Sequence, residues 1–109
     1  MATKPTPVYT FTYVPTGTAT TNAAVAITGS SRKPFLHAIT INTKGASSNT
    51  MTVSDAGVST IAVIDSTSTI GTLYYDVVCP NGIRVVSATG TGADYTIIWK
   101  WIDTADINN

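Results

Sequence analysis

No glutamate and no glutamine occurs in the 109 residues of this chain. Helix surfaces lose two of their usual residues, while 21 threonines and 9 serines favour strands and turns. Charge is scarce as well: charged residues make up 11% of the chain, against about 25% in ordinary soluble domains. Six scattered cations, with Arg32-Lys33 the one adjacent basic pair, argue against the stripe of phosphate contacts that nucleic-acid binding uses. A single cysteine, Cys79, cannot close an internal disulfide, which excludes a cystine scaffold and fits a reducing compartment. With one histidine, any Ser-His-Asp centre must use His37, and no serine lies in a Gly-x-Ser-x-Gly elbow. One His and one Cys far apart in sequence do not make a zinc site, and no cofactor is implied. No apolar run approaches the roughly 20 residues of a membrane span. The first residues, MATKPTPVYT, lack the apolar centre of a secretion signal. The expectation is therefore a product that stays in the cytoplasm where it is made, with no membrane partner.

What is present is period-two alternation between short turns. Residues 1–7, with Pro5 and Pro7, read as an extended arm, because neither proline can donate to a ladder. Val8 to Val14 alternates, with Tyr9, Phe11 and Tyr13 on one face, and stops at Pro15. A polar, flexible stretch from Thr16 to Asn22 precedes a short apolar strand from Ala24 to Thr28. Phe35 to Thr43 is clearer, placing Phe35, His37, Ile39 and Ile41 on one face and Leu36, Ala38, Thr40 and Asn42 on the other. Thr50 to Ser54 and Thr60 to Ile64 flank an Asp55-Ala56-Gly57 turn. From Gly71 to Trp101 the pattern predicts two coupled hairpins: Thr72 to Cys79, a Pro80-Asn81-Gly82 turn, Ile83 to Ala88, a Thr89 to Gly92 corner, and Tyr95 to Ile102.

These elements predict an all-β fold, an antiparallel β-sandwich or jelly roll of about eight short strands with essentially no helix. Residues 8–102 form the single β domain, and 103–109 a polar C-terminal tail. The net charge is zero, so little repulsion opposes self-association. A Thr/Ser/Ala surface can also be packed against another subunit at small desolvation cost. Exposed edges in a lone sandwich invite aggregation, so a closed homo-oligomer, a trimer or dimer, is expected.

The candidate residues for function are mostly aromatic. Trp99 and Trp101 share a face with Tyr95 and Ile97, which serves core packing, an interface anchor or a sugar-stacking platform. Tyr9, Phe11 and Tyr13 invite the same weighing. Gly90-Thr91-Gly92 lacks the third glycine of a dinucleotide loop and reads as a turn. All acids are aspartates; Asp55 and Asp94 sit at turns, where the short side chain caps backbone amides. His37 reads as a satisfied or interfacial imidazole, and Cys79 as a small packing residue.

The segment GTLYYDVVCPNGIRVVSATGTGADYTIIWK, Gly71 to Lys100, resembles the C-terminal portion of small virion structural proteins of tailed bacteriophages. The shared pattern is a tyrosine-rich strand, a Gly hairpin, an apolar strand, an Asp-containing corner and a closing strand. The resemblance implies a non-enzymatic β-sandwich of the virion, assembled in the host cytoplasm, with the major capsid protein or other virion proteins as partners. It would decorate or cement the capsid, or else occupy the neck or tail. The interface residues expected are Pro5, Pro7, Tyr9, Phe11, Tyr13, Trp99 and Trp101. Two rival readings are a carbohydrate-binding module using Trp99, Trp101, Tyr74 and Tyr75, and an enzyme centred on His37.

Overall fold

The computed structural model describes residues 9–26, 29, 31–45, 49–65, 70–87 and 92–103. They form eight strands: β1 (Thr10–Val14), β2 (Thr20–Ala24), β3 (Arg32–Thr43), β4 (Thr50–Asp55), β5 (Ser59–Asp65), β6 (Gly71–Val78), β7 (Ile83–Ser87) and β8 (Asp94–Asp103). No helix occurs among the described residues. Two antiparallel four-stranded sheets pack together, a front sheet in the order β1-β8-β3-β6 and a back sheet in the order β2-β7-β4-β5. The expected all-β sandwich is what the chain forms.

The order has a simple origin. The ladders β1–β8, β2–β7, β3–β6 and β4–β5 are those of one long hairpin whose tip is the β4–β5 turn. Folding that hairpin over itself adds the ladders β3–β8 and β4–β7, which is the wrap of a jelly roll. Consecutive strands therefore lie in opposite sheets, except at the tip.

This corrects the two hairpins expected between Gly71 and Trp101: β6 is in the front sheet, β7 in the back, and β8 in the front again. The physical reason lies in the turn. Gly82 N–H donates to Cys79 O at 3.1 Å, with Pro80 and Asn81 as the central pair, and of these residues only Gly82 has positive φ, at 137°. Proline in second place and glycine in fourth are the marks of a type I turn, which splays strands where a primed turn would keep them paired. The primed geometry is found instead at the tip, where Ala56 (φ 48°) and Gly57 (φ 82°) are both left-handed and Val58 N–H donates to Asp55 O at 2.8 Å.

Other boundaries shift. The second strand runs through Thr20–Ala24, beginning inside the stretch expected to be flexible and ending where the expected strand starts, because its threonines pair with Val85 and Val86 of β7. Val25 and Ala26 lie beyond it, while Ile27 and Thr28 fall outside the described residues. Strand β3 begins at Arg32, three residues before the expected start, and Asp103 belongs to β8 and not to a tail. The arm 1–7, most of the 103–109 tail and most of the Thr89–Gly92 corner lie outside the described residues.

The core lies between the sheets. Leu36, Ile39, Ile41, Tyr95, Ile97 and Trp99 from the front sheet and Met51, Val53, Ile64, Ile83 and Val85 from the back sheet are all buried in one cluster. Asp55, also buried, binds the two ends of the wrap together: its carboxylate accepts from Asn81 N at 2.8 Å and Asn81 Nδ2 at 3.0 Å. It thus caps an amide, as its turn position predicts, but the amide belongs to the sheet-to-sheet turn and not to its own.

Candidate functional site

Every Phe, Tyr and Trp of the chain lies on or beside the front sheet. Alternation sends Tyr75, Tyr95, Trp99 and Trp101 inward, and Tyr9, Phe11, Tyr13, Phe35 and Tyr74 outward. The outward set is not incidental surface. Phe11, Tyr13 and Tyr74 are 68%, 59% and 67% exposed, and Phe11 pairs with Ile98, which pairs with Ala38, which pairs with Tyr74, across all four strands. Ile98 between them is partly buried and Ala38 fully buried, so the exposed aromatics stand on the two edge strands β1 and β6; exposed large apolar side chains of this kind mark a contact surface.

A bulge places polar chemistry in the middle of that face. Leu36 pairs with Trp99 and Ala38 with Ile98, so His37 is an extra residue in β3. On the other side two residues of β6, Tyr75 and Asp76, occupy the same gap, and Asp76 takes a left-handed φ of 48°. A bulge re-aims side chains, and aspartate is one of the few residues that tolerate this φ. Here it brings His37 Nδ1 to 2.5 Å from Asp76 Oδ1. An ionised carboxylate only accepts, so Nδ1 carries the hydrogen and Nε2 is the nitrogen left for another partner. Tyr9 stacks on the imidazole at 4.5 Å between centroids, and Tyr74 meets it edge-on at 5.3 Å. Lys100 Nζ lies 5.1 Å from the Tyr9 centroid and 5.5 Å from that of Phe35, within cation–π range.

The bulge also corrects the expected faces of β3. Phe35 and His37 point outward as one set, but the extra residue reverses the register, so Ile39 and Ile41 point inward and Ala38, Thr40 and Asn42 outward. At the far end of the same face Asp94 accepts from Tyr13 Oη and, at 3.0 Å, from Asn42 Nδ2. The bond to Asp94 is the chief cause that lifts the Tyr13 phenol above its ordinary value. Asp94 was expected to cap backbone amides at a corner; it joins β1, β3 and β8 through side chains instead.

The residues proposed from sequence separate cleanly. Tyr9, Phe11 and Tyr13 come together on the outer face. Trp99 is 7% exposed, belongs to the core and donates from Nε1 to Thr12 Oγ1 at 3.0 Å, so it anchors the fold. Trp101 is half-buried on the same inner face, its edge against Trp99 and the Arg32 guanidinium 5.0 Å from its centroid. Pro5 and Pro7 lie outside the described residues. The sugar platform of Trp99, Trp101, Tyr74 and Tyr75 is divided between the two faces, because only Tyr74 is on the outside. His37 is aspartate-paired, and among the described residues no hydroxyl or thiol hydrogen-bonds to it. No three His, Cys or Asp side chains among the described residues converge to hold a metal ion.

Sequence reasoning named Tyr74 only for the sugar platform and missed Asp76 and Lys100 as members of this surface. A signal existed for one: an aspartate inside the apolar run Leu73 to Val78 is a residue that strands disfavour. The back sheet offers nothing comparable. Its outer row is Thr20, Val86, Thr52 and Val63, followed by Arg84 Nε donating to Asn22 Oδ1 at 3.1 Å. Comparison with known protein families, with curated proteins and with solved structures finds no match for this chain.

Proposed function

We propose that this chain is a non-enzymatic structural subunit of a tailed-phage virion, a decoration or cement protein that strengthens the shell by protein–protein contact. The observation that carries the contact mechanism is the outer face of the front sheet, where Phe11, Tyr13 and Tyr74 hold large aromatic area in water beside the partly buried Ile98. The virion setting rests on the resemblance of Gly71 to Lys100, a likeness of sequence pattern. Jelly rolls serve in viral capsid domains and in lectins alike, an analogy of fold that fits this reading without selecting it. A neck or tail position uses the same contact physics.

Burial is the mechanism. A standard interface removes about 1,600 Å² from water, enough for a small protomer repeated over a lattice to reinforce it with no chemical step. Locating the chain in a reconstructed particle tests the reading. The expected result is an eight-stranded sandwich seated on the capsid lattice, and absence of the chain from purified virions ends the proposal. Specific sugar binding on a glycan array, abolished by Tyr74→Ala with the fold intact, would reassign the chain to a carbohydrate-binding module.

A further inference from the structure

The outer face of the front sheet has a charge pattern that is its own complement. On β8, Asp94 and Lys100 both point outward, three residues on either side of the inward-facing Ile97. Among the described residues Asp94 accepts side-chain hydrogen bonds from the neutral Tyr13 and Asn42, and Lys100 rests on the rings of Tyr9 and Phe35. Among the described residues neither has an opposite charge in salt-bridge contact. The other charges near this face do not alter the pattern: Asp76 is taken by His37, while Lys33, Arg32 and Asp103 lie beyond Lys100 at the end of the β3–β8 ladder.

Resting on the contact reading above, we propose that the occupant of this face is a second copy of the chain, packed face to face about a two-fold axis that crosses the strands at the level of Ile97. That axis lays β8 antiparallel on β8 of the partner. Lys100 of each copy then faces Asp94 of the other, giving two ion pairs from one pair of residues, the signature of an isologous contact. On β1 the same operation sets Phe11 opposite Tyr13 of the partner, twice, and Thr96 opposite Ile98 on β8. Two bare aromatic side chains are covered by each other, and sheets meeting this way keep their strands within about 30° of alignment. A two-fold at Ile97 overlaps Asp94–Lys100 of β8, so four strands about 4.8 Å apart, rising about 3.3 Å per residue, make a face of roughly 440 Å² per copy before side-chain relief is counted. That is the scale of a small, reversible interface, below about 1,200 Å² in total, in which the two ion pairs set the register.

Edge pairing is the competing mode, and the free edge of β6 is poorly suited to it. The left-handed Asp76 interrupts its ladder, as bulges at exposed edges do.

Sedimentation velocity of the purified chain across micromolar concentrations tests the proposal. The wild type is expected to be a dimer. Lys100→Asp and Asp94→Lys should each weaken it at least about tenfold through like-charge contact, and the Lys100→Asp/Asp94→Lys double variant should restore it to within about threefold. Should Asp94→Lys fail to fold because Tyr13 and Asn42 lose their acceptor, Phe11→Asp supplies the second arm, dissociating the dimer with its circular dichroism unchanged. A monomer at all concentrations, or a dimer indifferent to both Lys100→Asp and Phe11→Asp, overturns the pairing. Such a monomer that still binds virions through Phe11 leaves the virion reading standing, whereas a charge-reversible dimer absent from particles keeps the pairing and removes the virion reading.

Discussion

The two sheets of this sandwich are built on different principles. Among the described residues the front sheet joins only strands distant in sequence and carries every Phe, Tyr and Trp on or beside it; the back sheet contains the one local hairpin and is built mainly of aliphatic and small polar residues with no Phe, Tyr or Trp. Non-local ladders must offset the entropy of closing long loops before any contact forms. The inward aromatics of the front sheet, Tyr95 and Trp99 above all, supply the large buried areas that do so. Its outward aromatics contribute nothing of the kind, because they remain in water. The comparison therefore separates the aromatics that fold the chain from those free to serve contact, and the back sheet shows that a sheet of this chain can stand without the second kind.

The sharpest test sets the two sides of the front sheet against each other. Trp99→Ala should cost about 3–5 kcal/mol, since it opens a core cavity and leaves Thr12 without its indole donor. Phe11→Asp and Tyr74→Asp should each alter monomer stability by no more than about 0.5 kcal/mol, as substitutions at open surface do. Urea unfolding measures all three at a concentration that dissociates any dimer. A large loss at Phe11 would mean that the outer face is structural and would break the distinction. On the back sheet, Val63→Asp, at 64% exposure, should leave both stability and association unchanged.

Next in size is the tie between the sheets. Asp55→Ala removes the acceptor of Asn81 N–H, joining the tip of the back sheet to the turn that arrives from the front, and should cost about 2 kcal/mol. Cys79, at the start of that turn, reports on the same region. Burial first, and the charge of Asp55 second, push its thiol from an ordinary 9.0 up to about 12. The sign follows from the raised value: below pH 9 the thiol is neutral whether folded or not, and its contribution is fully present. As the pH rises toward 12 the unfolded chain ionises while the folded one keeps its proton, so stability falls. Urea midpoints from pH 8 upward should decline in the wild type and decline less steeply in Cys79→Ala. Tyr95, whose phenol is raised chiefly by burial, supplies part of the remaining slope. Iodoacetamide should leave Cys79 unmodified at neutral pH until the chain is unfolded.

Much of the fold was legible in the sequence because period-two alternation is written residue by residue. The outward set Tyr9, Phe11 and Tyr13 and the inward set Tyr95, Ile97, Trp99 and Trp101 both follow from it. Which side faced the core did not follow for β1, where Thr10, Thr12 and Val14 face inward and Phe11 and Tyr13 outward, because alternation alone has no sign. Strand partners were hidden for a related reason: Asn81-Gly82 offers the chemistry of a hairpin, but the preceding Pro80 fixes a type I turn and sends the chain to the other sheet. The His37–Asp76 pair required knowing that one residue of β3 is extra, a fact set by its two neighbouring strands and not by β3 itself.

The smallest expected effect tests that account of the turns. At the tip of the back sheet, Ala56 holds a left-handed φ of 48° that costs an L-residue roughly 1–2 kcal/mol, because its Cβ crowds the following carbonyl. Asparagine tolerates this conformation, and Ala56→Asn would place Asn-Gly in the primed turn that favours it. Stabilisation of about 0.5–1 kcal/mol is expected, read as a higher urea midpoint with an unchanged slope. At the crossing turn the same dipeptide already exists at Asn81-Gly82, where the amide of Asn81 is held by Asp55 and its φ is not left-handed. Asn81→Ala should therefore destabilise, through loss of the Nδ2 bond to Asp55 and not through turn conformation. If Ala56→Asn destabilised the chain, the tip would not be a primed hairpin, and the contrast between one local sheet and one assembled from afar would lose its starting point.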